Sequence, residues 1–504
     1  MDEPADPVDS GDPEDPLPSG GWLSSTRERI RRRPDYRRLV LITALFGTAA
    51  GSYPVTVLSA SLPRIARDLG TTDDIITWVI AAPMLAFAVV TPIIGKIGDL
   101  YGHRRTYLVS FMLGTVLALA TSLAWGITSL IVLRTLAQAA KAASGPSAMA
   151  MILSVFPQRD RTRALGIWAA VVALSPAVGV VTGGPLIEWL GWRVLFVVQG
   201  LTVGLALIAA LLVAPETPRR SGIRFDIPGA ITLGVGVSGL LLAINRGISW
   251  GWTNPIVLTA AATAPIALGL FVAVENRSDA PLLPPALLRR RAFTRPMTAQ
   301  AVLQSGYMGA MVMAPFLLER RWGFRPTIIG LVMLPRPLSF AFCARLGGHH
   351  DPKHGARRVA VTGMLVFALA MVLAGVGAQQ RWLLMFLSGA MLAGAGSGYI
   401  RPTVANSVTS AAGDSDIGIA GGSMNMLQQI GAAVGITVLT ALMADSMSGT
   451  RFLLLHLAAA AAGLLAAWLA MGIEDTPTTD GSSRRAVRDG GSGSGPSPSG
   501  GNLD

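Results

Sequence analysis

The chain is poor in charge, nearly free of cysteine and almost without lysine. Only 14% of its 504 residues are charged, whereas soluble globular proteins carry roughly 25%. That deficit leaves too little charge to cover the surface of a soluble molecule of this size. It argues against a soluble enzyme, a disordered protein and a nucleic-acid binder. The single cysteine, Cys343, excludes an internal disulfide and a cysteine-based metal site. Lysine is confined to Lys96, Lys141 and Lys353, so the positive charge is almost all arginine. There is no Walker sequence and no glycine pattern of a nucleotide-binding βαβ unit. No nucleophile–base pair or metal cluster stands out, so neither enzymatic chemistry nor a cofactor is expected.

What the chain has is apolar length: 51% of residues are hydrophobic, and the mean hydropathy is +0.52. A helix needs roughly 20 mostly apolar residues to cross a bilayer. About fourteen such segments follow one another, centred near Ala50, Phe87, Thr115, Ala140, Ala173, Leu205, Gly236, Ala264, Met311, Leu334, Ala368, Leu392, Val434 and Ala461. The fold expected is an all-α membrane protein whose partner is the lipid bilayer.

The net charge of +12 (41 basic minus 29 acidic) sorts onto alternate loops. Basic loops hold Arg104/Arg105, Arg159/Arg161/Arg163, Arg219/Arg220/Arg224, Arg289/Arg290/Arg291/Arg295 and Lys353/Arg357/Arg358. These mark the cytoplasmic side. The loop with Arg320, Arg321 and Arg325 is an exception. Trp125, Trp189, Trp192, Trp250, Trp252, Trp322 and Trp382 fall at the opposite, outer ends, where interfacial aromatics belong. An even span count then puts both termini in the cytoplasm. Residues 1–36 read as a disordered acidic tail with a basic juxtamembrane segment, and 473–504 as a disordered Gly/Ser/Pro-rich tail.

The second span runs into Gly95-Lys-Ile-Gly-Asp99-Leu-Tyr-Gly102-His-Arg104-Arg105, and a looser copy, Gly347-Gly-His-His-Asp351-Pro-Lys-His-Gly355-Ala-Arg357-Arg358, follows the tenth. Two copies in corresponding loops indicate two related halves. These residues resemble the signature loop of the major facilitator superfamily. Phe225-Asp226-Ile-Pro-Gly229, Gly247-Ile-Ser-Trp250-Gly-Trp252, Gly183-Gly184 with Trp192-Arg193, and Met426-Leu-Gln428-Gln429-Ile-Gly431 resemble its fourteen-helix drug:proton antiporter family. The resemblance implies a 6+2+6 arrangement with a central cavity and alternating access. It divides the chain into six-helix bundles at 37–215 and 296–472, two inserted helices at 216–276 and a cytoplasmic linker at 277–295. It assigns coupling and gating to Asp99, Gly95, Gly102, Arg104, Arg134, Gly183 and Gly184. Family membership further implies a small-molecule substrate, protons as the coupling ion, a monomer, and a multi-pass place in the plasma membrane without nucleic acid.

The chain departs from that family at its centre. Pro54 stands where helix 1 commonly has Asp, Pro83 replaces a Tyr in helix 2, and Val180 replaces the Pro of the helix 5 Gly-Pro. No carboxylate lies near the middle of any span; Asp99, Glu188, Asp226, Glu275, Glu319 and Asp445 sit at or near span ends. Cations do occur there: Lys141 and Arg336 near mid-span, and Arg401 deep in helix 12. A charge at the bilayer centre costs roughly 2.5–3.5 kcal/mol even on lenient scales, so it normally faces a bundle interior or wet cavity. Snorkelling to the interface is the competing reading, better suited to Arg134, Arg246 and Arg401. Arg134 and Lys141, seven residues apart, share a helix face.

The substrate-binding candidates are therefore Lys141, Arg336, Arg401, Gln138, Gln304 and Tyr307, and the cargo expected is an anionic or weakly acidic amphiphile. Proton carriers, if protons couple, are sought at Lys141, Asp99 and His456. A proton-coupled exporter of cationic drugs is the first alternative. A transporter-like sensor or scaffold that moves nothing is another.

Overall fold

The computed structural model describes residues 22–52, 54–157, 185–217, 226–278, 285–412, 417–443 and 448–474, with isolated positions between 160 and 183 and at 281. Its helices are α1 (Trp22–Arg31), α2 (Tyr36–Ser52), α3 (Pro54–Asp68), α4 (Asp73–Ile76), α5 (Trp78–Tyr101), α6 (His103–Ser122) and α7 (Ile127–Ala140). A 3₁₀ turn at Lys141–Ala143 leads into α8 (Ser144–Val155), followed by α9 (Trp192–Val213), α10 (Ile227–Trp250), α11 (Pro255–Glu275) and α12 (Pro285–Leu288). The remainder are α13 (Arg291–Trp322), α14 (Pro326–Met333), α15 (Pro335–His354), α16 (Ala356–Gln380), α17 (Leu383–Ala412), α18 (Ile417–Ala441) and α19 (Gly449–Ala470). Ten candidate spans among the described residues are long and apolar enough to cross a membrane. Of the fourteen expected centres, Ala173 lies outside the described residues.

Two of the expected spans are interrupted among the described residues. The fourth breaks at the turn beginning with Lys141. The tenth breaks at Leu334, one residue before Pro335 opens α15. Proline at N1 has no N–H to leave unbonded, so it starts a helix without cost. The same logic opens the tenth and eleventh helices. Asp226 Oδ1 accepts from Gly229 N at 2.8 Å beside Pro228, and Asn254 Oδ1 accepts from Ile256 N at 2.9 Å beside Pro255.

Most helices of α2 to α9 pack among themselves, as do most of α13 to α19, while α5 lies against α18, α3 against α13, and α10 and α11 pair with each other. The second group owes its closeness to glycine. Along α17, a Cβ on Gly394 would meet the Arg336 carbonyl, one on Gly396 the Gly363 carbonyl, and one on Gly398 the Phe340 carbonyl. Gly431 and Gly435 of α18 do the same against Ala301 and Ser305 of α13. Between membrane helices, where lipid removes the hydrophobic drive, such backbone proximity is a main source of association.

The two signature loops share a conformation. Gly102 joins α5 to α6 at φ 94°, and Gly355 joins α15 to α16 at φ 85°. Each N–H bonds a carbonyl four residues back, Gly98 and Asp351 respectively. This end of the molecule, which also carries α1, is called the basic end below. α1 itself falls inside the segment read as tail and juxtamembrane anchor, where it packs on α9. At the far end, Trp125 and Trp189 are more than 80% exposed as interfacial residues should be. Trp192 differs. It is 2% exposed, edge-on to Phe196, with the Arg193 guanidinium 4.3 Å from its ring.

Candidate functional site

The sequence-derived candidates fall into two clusters, one in each helix group. In the first, Arg134 of α7 is buried rather than snorkelling. Its Nη1 donates to Gln199 Oε1 of α9 at 3.3 Å, and its guanidinium lies 5.5 Å from the Phe196 ring. Lys141 is 1% exposed, and among the described residues its Nζ has no hydrogen-bond partner. The stem runs against α6 at Gly114, where an added Cβ would sit 2.6 Å from Lys141 Cγ. Gln138, one turn before Lys141, is also buried.

In the second cluster, Arg336 of α15 donates from Nη2 to the Tyr307 carbonyl of α13 at 2.6 Å, and its Cζ stands 4.0 Å over the Tyr307 ring. Phe340 and Phe367 flank that ring at 6.2 and 6.3 Å. Arg401 of α17 is partly buried. Gln304 is buried one turn before Tyr307. The interior of both groups is thus cationic and polar. Arginine holds its charge in any protein environment, so this sign is permanent at Arg336.

The gating candidates lie at the basic end. Arg104 of α6 pairs with Glu216 at 2.9 Å, and Arg27 of α1 reaches the same carboxylate at 3.4 Å. Gly95 lies on α5, where an added Cβ would come to 3.9 Å from Pro146. Gly183 is buried. Gly184 and the Asp99 side chain lie outside the described residues.

The arginine-bearing far-end loop, an exception to the charge pattern, is where the groups are tied together. Arg67 of α3 pairs with Glu319 of α13, and Asp73 of α4 with Arg320 of α13. Asp74 of α4 meets Arg246 of α10 at 3.6 Å. Glu188 meets Arg325 at 3.7 Å and accepts from Thr327 Oγ1 at 2.5 Å. Beneath them one apolar core spans both groups, with Leu58, Leu62, Ile65 and Val79 joined to Met311, Leu318 and Ile329. These pairs are invisible to motif reading; the outward Arg320 and Arg325 are their only sequence signal.

A family model for the Major Facilitator Superfamily matches residues 39–349 and 296–492. The multidrug resistance protein Stp of Mycobacterium tuberculosis (strain CDC 1551 / Oshkosh) is 28% identical over 418 residues, which cover 82% of this chain and 78% of Stp. The tetracenomycin C resistance and export protein of Streptomyces glaucescens is 28% identical over 425 residues, covering 82% of this chain and 77% of its own. Among solved structures, the POT family transporter PepTSo superposes with a TM-score of 0.67 at 12% identity, over 88% of this chain and 99% of that one. An inward-facing bacterial homologue of the human lysosomal transporter Spinster gives 0.62 at 16%, over 88% and 100%. At these identities the structural likeness speaks for the fold alone.

Proposed function

Because the chain belongs to the major facilitator superfamily, we propose that it is a secondary active exporter of small molecules that works by alternating access. In this reading residues 37–215 and 296–472 are the two moving bundles, 216–276 the inserted helices and 277–295 the linker. Both termini are cytoplasmic, the protein is a monomer in the plasma membrane, and the basic end faces inward. The names of Stp and of the tetracenomycin C protein support drug or antibiotic efflux as the task. The observation that carries alternating access is the far-end closure. Its ion pairs cross from α3, α4 and Glu188 to α13 and Arg325, whereas Arg104–Glu216 at the basic end stays within one group. Among the described residues, the ion pairs that join the two groups lie at the far end, the arrangement expected of an inward-facing member of an alternating pair.

The cargo of this reading is an anionic or weakly acidic amphiphile. Arg336, Arg401 and Lys141 supply positive charge; Gln138, Gln304 and Tyr307 supply polar contacts. Gly95, Asp99, Gly102, Arg104, Arg134, Gly183 and Gly184 serve coupling and gating. Removing a buried charge's partner is costly, so a cation-lined route selects against cationic cargo as well as for anions. Purified protein should bind an acidic amphiphile more tightly than a quaternary ammonium compound of similar size. Tighter binding of the ammonium compound would transfer the preference to cationic drugs. Accumulation in inverted vesicles driven by a pH gradient alone tests protons as the coupling ion.

A further inference from the structure

Six helices of the second group, α13 to α17 and α19, converge on a small cavity. Its volume is about 20 Å³, and it is lined by Arg336, His456 and otherwise apolar side chains such as Ala310, Met371 and Phe386. A space of that size admits roughly one water-sized occupant. No carboxylate is among its lining residues.

Arg336 is 5% exposed, and its Nε–H makes no hydrogen bond among the described residues. What it does contact, the Tyr307 carbonyl and ring, carries partial charge only. A buried guanidinium without a full counter-charge is among the least favourable arrangements in a low-dielectric interior. His456 adds no negative charge. Its Nδ1 must be the protonated nitrogen, because it bonds the Phe452 carbonyl at 2.8 Å.

We infer that this cavity is a halide-binding site, with one chloride or bromide ion held against Arg336 as its buried counter-ion. A halide is close to water in size and takes the unbonded Arg336 Nε–H as its donor, since the His456 Nδ1–H is already spent on Phe452. The site shares Arg336 with the proposed cargo route, but halide binding is read without any cargo, so the two readings can fail separately.

The test uses the purified full-length protein in detergent. Thermal unfolding is followed in sodium bromide and sodium chloride against sodium gluconate at equal ionic strength. Halide should raise Tm saturably, because a ligand bound only by the folded state stabilises it by mass action. The rise should vanish in Arg336→Gln. It should vanish too in Ala310→Leu, which keeps the arginine and fills the cavity, so the outcome does not depend on one variant folding. A bromide-soaked crystal should show an anomalous peak beside Arg336 Nε. Equal Tm in halide and gluconate, a halide effect retained in both variants, or cavity density without anomalous signal, meaning water, would each overturn the inference. Loss of the halide effect with acidic-cargo preference intact would leave the exporter reading standing.

Discussion

Gly102 and Gly355 hold backbone angles that a side chain resists. Positive φ with an extended ψ is essentially glycine-only ground, costing about 1–3 kcal/mol for other residues. Gly102→Ala should therefore lower Tm by several degrees, whereas Gly126→Ala, at φ −170° with nothing within 4 Å, should change it little. Thermal unfolding in detergent compares the two directly. The signature loops are legible in the sequence because conformations of this kind are restricted to one residue type, and the motif advertises them. Arg336 and Lys141 are legible as buried for a similar reason: a lone cation inside an apolar run is conspicuous. Their surroundings are not. Arg336 finds the carbonyl of Tyr307, 29 residues away, and Arg134 finds Gln199, 65 away. Only packing brings such pairs together. Trp192 shows the opposite error, since its place in the chain suggests an interface and Phe196 with Arg193 covers it.

At the scale of helices, apolar length predicts where spans lie but not where they break. Each interruption depends on local chemistry, the proline at 335 and the turn at Lys141, which average hydropathy smooths over. The glycines of α17 sit against the carbonyls of Arg336, Gly363 and Phe340, partners that no sequence pattern names. Helical Gly→Ala is ordinarily stabilising, by up to about 1 kcal/mol. Gly421→Ala on α18, with open space around it, should follow that rule. Gly394→Ala should reverse it, because the new methyl meets the Arg336 carbonyl and must push α15 from α17. Opposite signs of ΔTm are the expected outcome; stabilisation of both would mean that the two helices yield freely.

At the scale of the whole molecule, the far-end closure depends on residues more than two hundred positions apart, Arg67 with Glu319 and Asp73 with Arg320. No periodicity points from one to the other, which is why this part of the site escapes sequence reading. Partly exposed ion pairs of this kind contribute about 0.2–1 kcal/mol each, so removing one should shift the open population by no more than about fivefold. Arg320→Asp should accordingly increase labelling of a cysteine placed at Ala66, on the wall of the vestibule beneath the pairs, by a probe added from outside. Replacing Cys343 with Ser leaves that cysteine alone. Adding Asp73→Arg to Arg320→Asp re-creates the pair with its charges exchanged and should restore protection. Unchanged labelling in the single variant would remove this pair from the closure.

One tie in that closure comes from neither bundle. Arg246, stacked 4.7 Å over Trp250, reaches from α10 to Asp74. The tie fastens α10 to α4 of the first group. In the proposed transport cycle it would make the inserted pair a rider on that group, carried with it as it moves.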